Sequence, residues 1–461
     1  MGKYISLKLF FISFFVLFFS WIFVYKTGIN RLVVQSEDTV PALFLPASII
    51  KEKTLYLDSY YNTMIQRYPQ PDDKNQLRGL TPYYLEKVNN HYLSAFPIIT
   101  PLVSLPVFYL PIKLGMPVTW ENMIFLSKIS SMLIVSASGT FLYILLKKHF
   151  LDEKKSLLLT IAYIFGTVNF AMVSQSMWQH GTLQMFSILG LYFILNYLNS
   201  MDKDKKLPDV FLSGLFFGLA ILSRPTALLG LAFIVTLVFM KSANLKIFTK
   251  AALCILVGLA LNVLFFLWYN NKYYVGIQNQ GYATQLLGSW VSPFPVSLIG
   301  VWLSPSKGIL VYSPIFVFSI IGFCIAMRKG WHENIQYLVY FLIVIFHTFI
   351  ISLWKHWYGG YSFGYRMSSD VIPYLILLIV PFLNSDIYKK YKKAFIGTLI
   401  FSVLVQIFGM FFFDGIWHAA YDQGNKNTSW LWSIKDSEFM FNVRRVMVKL
   451  KLLDKACPKC L

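Results

Sequence analysis

Apolar stretches of about twenty residues recur along the whole of this sequence, and short basic clusters punctuate them. A helix of about 20 apolar residues crosses the roughly 30 Å hydrocarbon layer of a bilayer. The pattern predicts eleven spanning helices, at roughly 4–25, 123–146, 156–175, 182–199, 209–223, 225–240, 250–269, 309–327, 335–353, 371–386 and 394–413. The fold class is therefore an all-α polytopic membrane protein. Its large first extracytoplasmic loop (26–93) is expected to carry interfacial helices. The opening "MGKYISLKLFFISFFVLFFSWIFVYK" has no small-residue cleavage site after it, so it reads as an uncleaved first span and not a signal peptide.

The basic clusters assign sides. "KKHFLDEKK" (147–155), "MDKDKK" (201–206), "KSANLKIFTK" (241–250), "RKG" (328–330) and "YKKYKK" (388–393) are each separated by an even number of predicted crossings. The positive-inside rule then puts all five in the cytoplasm, with the N-terminus inside and the C-terminus outside. Residues 94–114 are long enough to cross but would reverse that parity, and they carry Pro97, Pro101, Pro106 and Pro111. Each proline removes a backbone donor and clashes with the preceding turn. A broken re-entrant or interfacial segment is expected there. The basic tail with Arg444, Arg445, Lys449 and Lys451 reads as an amphipathic helix on the membrane surface. The organisation is thus a membrane core, 1–413, and a short extracytoplasmic or interfacial tail, 414–461.

Composition supports this class. Of 461 residues, 56% are hydrophobic and 13% charged, against about 25% charged in a soluble domain. The mean hydropathy is +0.57. A soluble enzyme of this make-up would expose far too much apolar surface. The net charge of +20 would suggest nucleic acid in a soluble protein. Here the basic residues sit at span ends, so nucleic acid is not an expected partner. Cys254 and Cys324 lie in apolar runs and read as packing residues, and the terminal "CPKC" (Cys457, Cys460) is weak evidence for metal or redox chemistry.

With the sides assigned, the first loop, "QSMWQHG" (175–181), "SRPT" (223–226), the 270–308 loop, "WKHWYGGYSFGYRMSSD" (354–370) and "DGIWHAAYDQGNKN" (414–427) all face outward. The candidate chemistry gathers in these stretches. Glu37 and Asp38 come directly before Pro41 and the apolar positions Leu43, Leu45, Ile49 and Ile50. They read either as a general base held by a half-submerged helix or as a plain helix cap at Asp38-Thr39. Arg224 lies between "LFFGLAILS" and "PTALLGLAFIV". An Arg at the bilayer centre costs about 2.5 kcal/mol or more, so it is expected inside the bundle, beside a ligand path or an acidic partner. Lys355, His356 and Arg366 offer cations for a phosphate. Trp357, Tyr358, Tyr361, Phe363 and Tyr365 offer flat faces for a sugar ring or a prenyl chain. Gly359, Gly360 and Gly364 permit positive φ and close backbone approach. An interfacial aromatic belt is the plainer alternative. His180 in "MWQHG" reads as a packing or hydrogen-bonding residue or a ligand contact. No zinc-protease motif, P-loop or nucleophile elbow occurs; no cofactor is expected, and no metal spacing is found.

These residues together resemble the GT-C superfamily of membrane glycosyltransferases. The resemblance is to the bacterial polyprenyl-phosphate-sugar-dependent enzymes related to protein O-mannosyltransferases. It rests on the order of five features: the first span, an acid early in the first outer loop, "LFFGLAILSRPTALLGL", "SPSKGILVYSPIFVFSIIG" and "WYGGYSFGYR" followed by proline. The resemblance implies an inverting transfer, outside the cytoplasm, from a polyprenyl-phosphate-linked monosaccharide. It would place the catalytic acid on Asp38, with Glu37 its nearest rival. The phosphate-binding cations would be Arg224 and Arg366, with Lys307 and His180 after them. The partners would be the lipid-linked donor, an extracytoplasmic glycan, lipid or protein acceptor, and membrane lipids, in the inner membrane. Two other classes stay in view: a transporter or flippase for a lipid-linked sugar, and a non-catalytic envelope-assembly protein.

Overall fold

The computed structural model describes residues 2–28, 34–69, 80–200, 207–281, 289–422 and 428–456. The cluster at 201–206 and the terminal "CPKC" lie outside the described residues, as do 282–288 of the 270–308 loop and 423–427 of the 414–427 stretch. The chain forms two compact units. One comprises Met1–Gln35, Leu142–Gln175 and Trp290–Leu461, and the other Ser36–Phe141 and Ser176–Ser289.

Each predicted span coincides with helical residues, but 156–175 and 309–327 are each split into pieces, and not every helix has spanning length. Seven described helices are long and apolar enough to cross a bilayer: Ile5–Thr27, Trp120–His149, Gln179–Leu198, Leu245–Tyr274, Ile335–Leu353, Arg366–Leu383 and Asp386–Phe412. The predicted 156–175 span is instead two pieces, Glu153–Phe165 and Val168–Gln175, bent by 46°. Thr167 makes the break: its extended backbone ends one helix, and its hydroxyl accepts from the Asn169 amide at the start of the next. Leu207–Ser223, Ala227–Lys241 and Pro314–Arg328 are apolar but short. At 1.5 Å per residue they reach about 22–26 Å. The chain is a multi-pass membrane protein.

In the unit built from 36–141 and 176–289, helix Leu207–Ser223 packs against Gln179–Leu198 and Leu245–Tyr269. Close approach depends on glycine. A Cβ on Gly214 would lie 2.3 Å from the Ile255 carbonyl oxygen, and one on Gly258 2.3 Å from that of Phe211. Small residues are how membrane helices bring backbones together without a hydrophobic driving force. Leu253, Leu256, Leu261 and Leu264, on the far side of Leu245–Tyr269, are each more than half exposed, as a lipid-facing surface requires.

Two expectations are corrected in this unit. Of residues 94–114, Ser94 ends a strand and Pro97 lies in the bend before the helix, but the rest is not broken. Ile99–Lys113 is one continuous helix with Pro106 and Pro111 inside it. Pro101 falls in the first turn, where the lost N–H has no intrahelical partner anyway. The helix following the acidic pair, Val40–Glu52, is not half-submerged either. Leu43, Phe44, Leu45, Ala47 and Ile50 are all buried, against Ile99–Lys113 among others. The first loop also folds a small hairpin. Leu85–Val88 pairs with His91–Ser94 in antiparallel register, Leu85 facing Ser94 and Val88 facing His91. Its two-residue turn, Asn89-Asn90, has both φ values positive (49° and 65°), the geometry that matches strand twist and that Asn tolerates. Asp58 fastens the hairpin by accepting from the Tyr92 amide and bonding His91 Nδ1, both at 2.7 Å.

In the other unit, Ile372–Leu383 is central, with every residue buried. Val317–Arg328 packs on it, with Gly322 against the Leu378 carbonyl, and Ile335–Leu353 packs beside both. Cys324, read as a packing residue, is exposed on the outer face of Val317–Arg328. The first helix, Gly2–Thr27, leans on Asp386–Phe412, Phe23 meeting Phe411. In the tail, Glu438–Lys449 buries Glu438, Phe441 and Asn442.

Candidate functional site

The acidic pair sits on a 3-10 turn, Glu37–Thr39. Ser36, not Asp38 or Thr39, caps that turn: its extended backbone precedes it and its hydroxyl faces the Asp38 amide. Thr39 precedes Val40–Glu52 without a side-chain cap bond. Thr39 thus holds the N-cap position of that helix by backbone alone. Asp38 Oδ1 accepts from the Tyr83 hydroxyl at 2.7 Å, across 45 residues. Burial first, then the neighbouring Asp38 charge, hold the Glu37 carboxyl above its ordinary 4.5, against a lowering hydrogen bond from Tyr83. Two adjacent acids thus have different surroundings and share one phenol. Tyr83 is a residue that sequence reasoning missed; "PYYLE" carries no pattern that points to Glu37 or Asp38.

The same unit holds a buried cation. Arg224 ends helix Leu207–Ser223 at the break before Pro225, and it is 8% exposed. Its Nη1 donates to His180 Nε2 at 2.9 Å, and His180 is 1% exposed. Guanidinium is only a donor, so His180 Nε2 must accept and the ring proton lies on Nδ1. His180 therefore orients Arg224 here as a neutral base. The two candidates, 44 positions apart, are brought together. The acidic turn is tied to the segment leading into this helix: Thr39 Oγ1 lies 2.8 Å from Ser176 Oγ, four residues before His180. Lys128, buried at 4% exposure in Trp120–His149, was also missed. Its signal was a lone cation inside a long apolar run.

The glycine-rich loop belongs to the other unit. Gly359, Gly360 and Gly364 have φ of 83°, 55° and 64°, so the expected left-handed positions are present. A Cβ on Gly359 would lie 3.2 Å from Arg366 Cβ, so the Arg366 side chain lies over that glycine. Trp357, Tyr358, Phe363 and Tyr365 are buried, with their faces against protein. Trp357 covers Gly300, Phe363 covers Gly409, Tyr358 meets Trp430, and the Tyr365 hydroxyl bonds Ser313 at 2.7 Å. Tyr361 alone of these five aromatics is exposed, at 47%. Lys355, His356 and Arg366 are half-buried. At the end of the loop, Asp370 lies 3.4 Å from buried His347 of Ile335–Leu353.

Lys307 is elsewhere than at a surface. It is 1% exposed, with Nζ bonded to the Ser362 carbonyl, 3.0 Å from His418 Nε2 and 4.0 Å from Glu438 Oε2. Burial pulls the ammonium down to about 8, and burial pushes the Glu438 carboxyl up to about 7. Burial also holds the His418 imidazole well below its ordinary range. His418 and Glu438 carried no sequence signal beyond lying in the outer loop and tail. Among the described residues, no group of three His, Cys, Asp or Glu is placed to hold a metal ion.

The fold is shared with a solved membrane-enzyme structure. The structure of ArnT from Cupriavidus metallidurans bound to undecaprenyl phosphate is similar over 98% of this chain and 72% of ArnT, with a TM-score of 0.55 and 12% identity. Two structures of the Archaeoglobus fulgidus oligosaccharyltransferase are also similar. One is the apo form and one is AglB with an inhibitory peptide and a dolichol-phosphate. They match at TM-scores of 0.47 and 0.48 and 13% identity, over 93% of this chain and 57% of theirs. No family model matches the sequence, and no curated protein matches it.

Proposed function

We propose that this chain is an inverting glycosyltransferase that moves a monosaccharide from a polyprenyl-phosphate carrier to an extracytoplasmic acceptor hydroxyl. The observation that carries the proposal is that one unit holds both the acidic turn, whose Thr39 bonds Ser176, and the buried His180–Arg224 pair, His180 being four residues after Ser176. It supplies a carboxylate and a buried cation on one scaffold. Asp38, with Glu37 beside it, takes the acceptor proton as the hydroxyl attacks the anomeric carbon. A prenyl phosphate leaves without a general acid, and positive charge must meet the negative charge that develops on it. One such preorganised donor can contribute about 3 kcal/mol. Arg224 is that donor in this unit, aligned by His180; in the other unit Arg366, against Gly359, is a separate candidate cation for a phosphate. In that unit the exposed Tyr361 offers a face for a sugar ring. An apolar groove of about 520 Å³ between Val296–Leu303 and Ile335–Leu353, lined by Leu298, Trp302 and Phe346 among others, suits a prenyl tail. The undecaprenyl phosphate bound by the structurally similar ArnT supports a carrier of this class.

The test is binding of undecaprenyl phosphate to the full chain in nanodiscs. Arg224→Ala should lose affinity by about a hundredfold, and Arg224→Lys should recover part of it, because a point charge cannot reproduce the planar fork. Wild-type affinity in folded Arg224→Ala overturns the phosphate assignment.

A further inference from the structure

Lys307 lies in "SPSK", between helix Val296–Leu303 and the short turn Ile309–Tyr312. Ser304 shapes this turn, accepting from the amides of Ser306 and Lys307 and donating to the Leu431 carbonyl. The lysine is thereby aimed inward. An ammonium has three protons. The Ser362 carbonyl takes one, His418 Nε2 at 3.0 Å another, and the Gly360 carbonyl at 3.4 Å the third. None is left for a phosphate. The indole of Trp417 lies 5.4 Å from Nζ, a cation–π contact on a further side.

Both carbonyls belong to the loop bent by Gly359, Gly360 and Gly364. The other partners come from the last part of the chain. Glu438, fully buried at the start of Glu438–Lys449, lies 4.0 Å from the ammonium and accepts from the Tyr312 hydroxyl at 3.5 Å. It also takes a hydrogen bond from the Gly364 backbone. His418, fully buried in Ile416–Tyr421, stacks on Tyr361 with ring centres 4.9 Å apart. Two elements remote in sequence thus grip the loop at Gly360, Tyr361, Ser362 and Gly364, directly before Arg366.

We propose that Lys307 is a positioning residue that, with Glu438 and His418 of the C-terminal segment, locks the glycine-rich loop in the shape that presents Tyr361 and Arg366. Lys307 itself does not touch the donor. The lock stands on the cluster alone, whereas its service to donor binding rests on the transferase reading.

Hydrogen exchange on the full chain in nanodiscs tests the lock, and undecaprenyl phosphate binding tests its use. Lys307→Met should raise exchange across 357–366 by at least tenfold and leave Ile372–Leu383 unchanged. Glu438→Gln keeps the shape of the carboxylate, should loosen the same loop, and replaces Lys307→Met should that variant not fold. Lys307→Arg keeps a cation and should recover part of the protection. Affinity for undecaprenyl phosphate should fall about tenfold in the two loosened variants. Unchanged loop exchange in folded Lys307→Met or Glu438→Gln overturns the proposal, and lost affinity with an unchanged loop would make Lys307 a direct ligand. A wild-type protein that does not bind undecaprenyl phosphate ends the transferase reading, while the exchange result still decides on the lock.

Discussion

Two adjacent carboxylates rarely share one environment, and Glu37 and Asp38 do not. Asp38 accepts a phenol, while burial holds Glu37 above its ordinary 4.5. The direction has a thermodynamic consequence. A carboxyl whose folded pKa lies above its unfolded value holds its proton more tightly when folded. Its contribution to stability is present below 4.5 and is lost as the pH rises through the raised value. The wild-type melting temperature should therefore fall more from pH 4 upward than that of Glu37→Gln, which has no such proton to lose. Parallel profiles for the two proteins would contradict this placement of Glu37. The residue scale is also where the sequence was least legible. Arg224 stood out because a cation between apolar runs is costly, and it is buried as that cost requires. Tyr83, His418 and Glu438 act through partners 45, 111 and 131 positions away, and no local spacing encodes such contacts.

Helices were legible because apolar length and basic punctuation mark them directly. Their breaks were less so. The bend at Thr167 depends on one hydroxyl capping a new turn, and Ile99–Lys113 stays continuous despite its prolines. The loop of 354–370 shows the opposite case, since three closely spaced glycines are themselves a signal for positive φ, and all three have it. Its aromatics were legible as a cluster but not as to which faces are covered, because the covering residues Gly300, Gly409 and Trp430 are far along the chain. Two glycines give a contrast that a melting curve can read. Gly364 has φ 64°, and a Cβ there would lie 2.9 Å from Tyr312 Cδ1. Gly364→Ala should cost at least about 1–2 kcal/mol for the left-handed backbone alone. Gly397, inside Asp386–Phe412 with nothing within 4 Å of its Cβ position, should gain about 0.5–1 kcal/mol as Ala. Equal effects at the two sites would contradict the loop geometry.

At the scale of the whole molecule, the parity of the basic clusters carries a topology that helices alone do not. Lys392 lies in the cluster expected in the cytoplasm and Lys355 in the loop expected outside. In a background without the four native cysteines, Lys355→Cys should react with an impermeant maleimide on intact cells. Lys392→Cys should react only after permeabilisation. The reverse pattern would put the acidic turn and the glycine loop on the cytoplasmic side. The central claim is chemical transfer, and its most direct measurement is turnover by the purified chain in vesicles carrying radiolabelled polyprenyl-phosphate sugars, with an envelope fraction as acceptor. Wild-type protein should consume donor and release free polyprenyl phosphate, and Asp38→Asn should be slower by about a hundredfold or more with donor affinity retained, the scale of a lost general base. Donor that crosses the vesicle membrane unconsumed, or full turnover in the double variant Glu37→Gln with Asp38→Asn, would contradict the account.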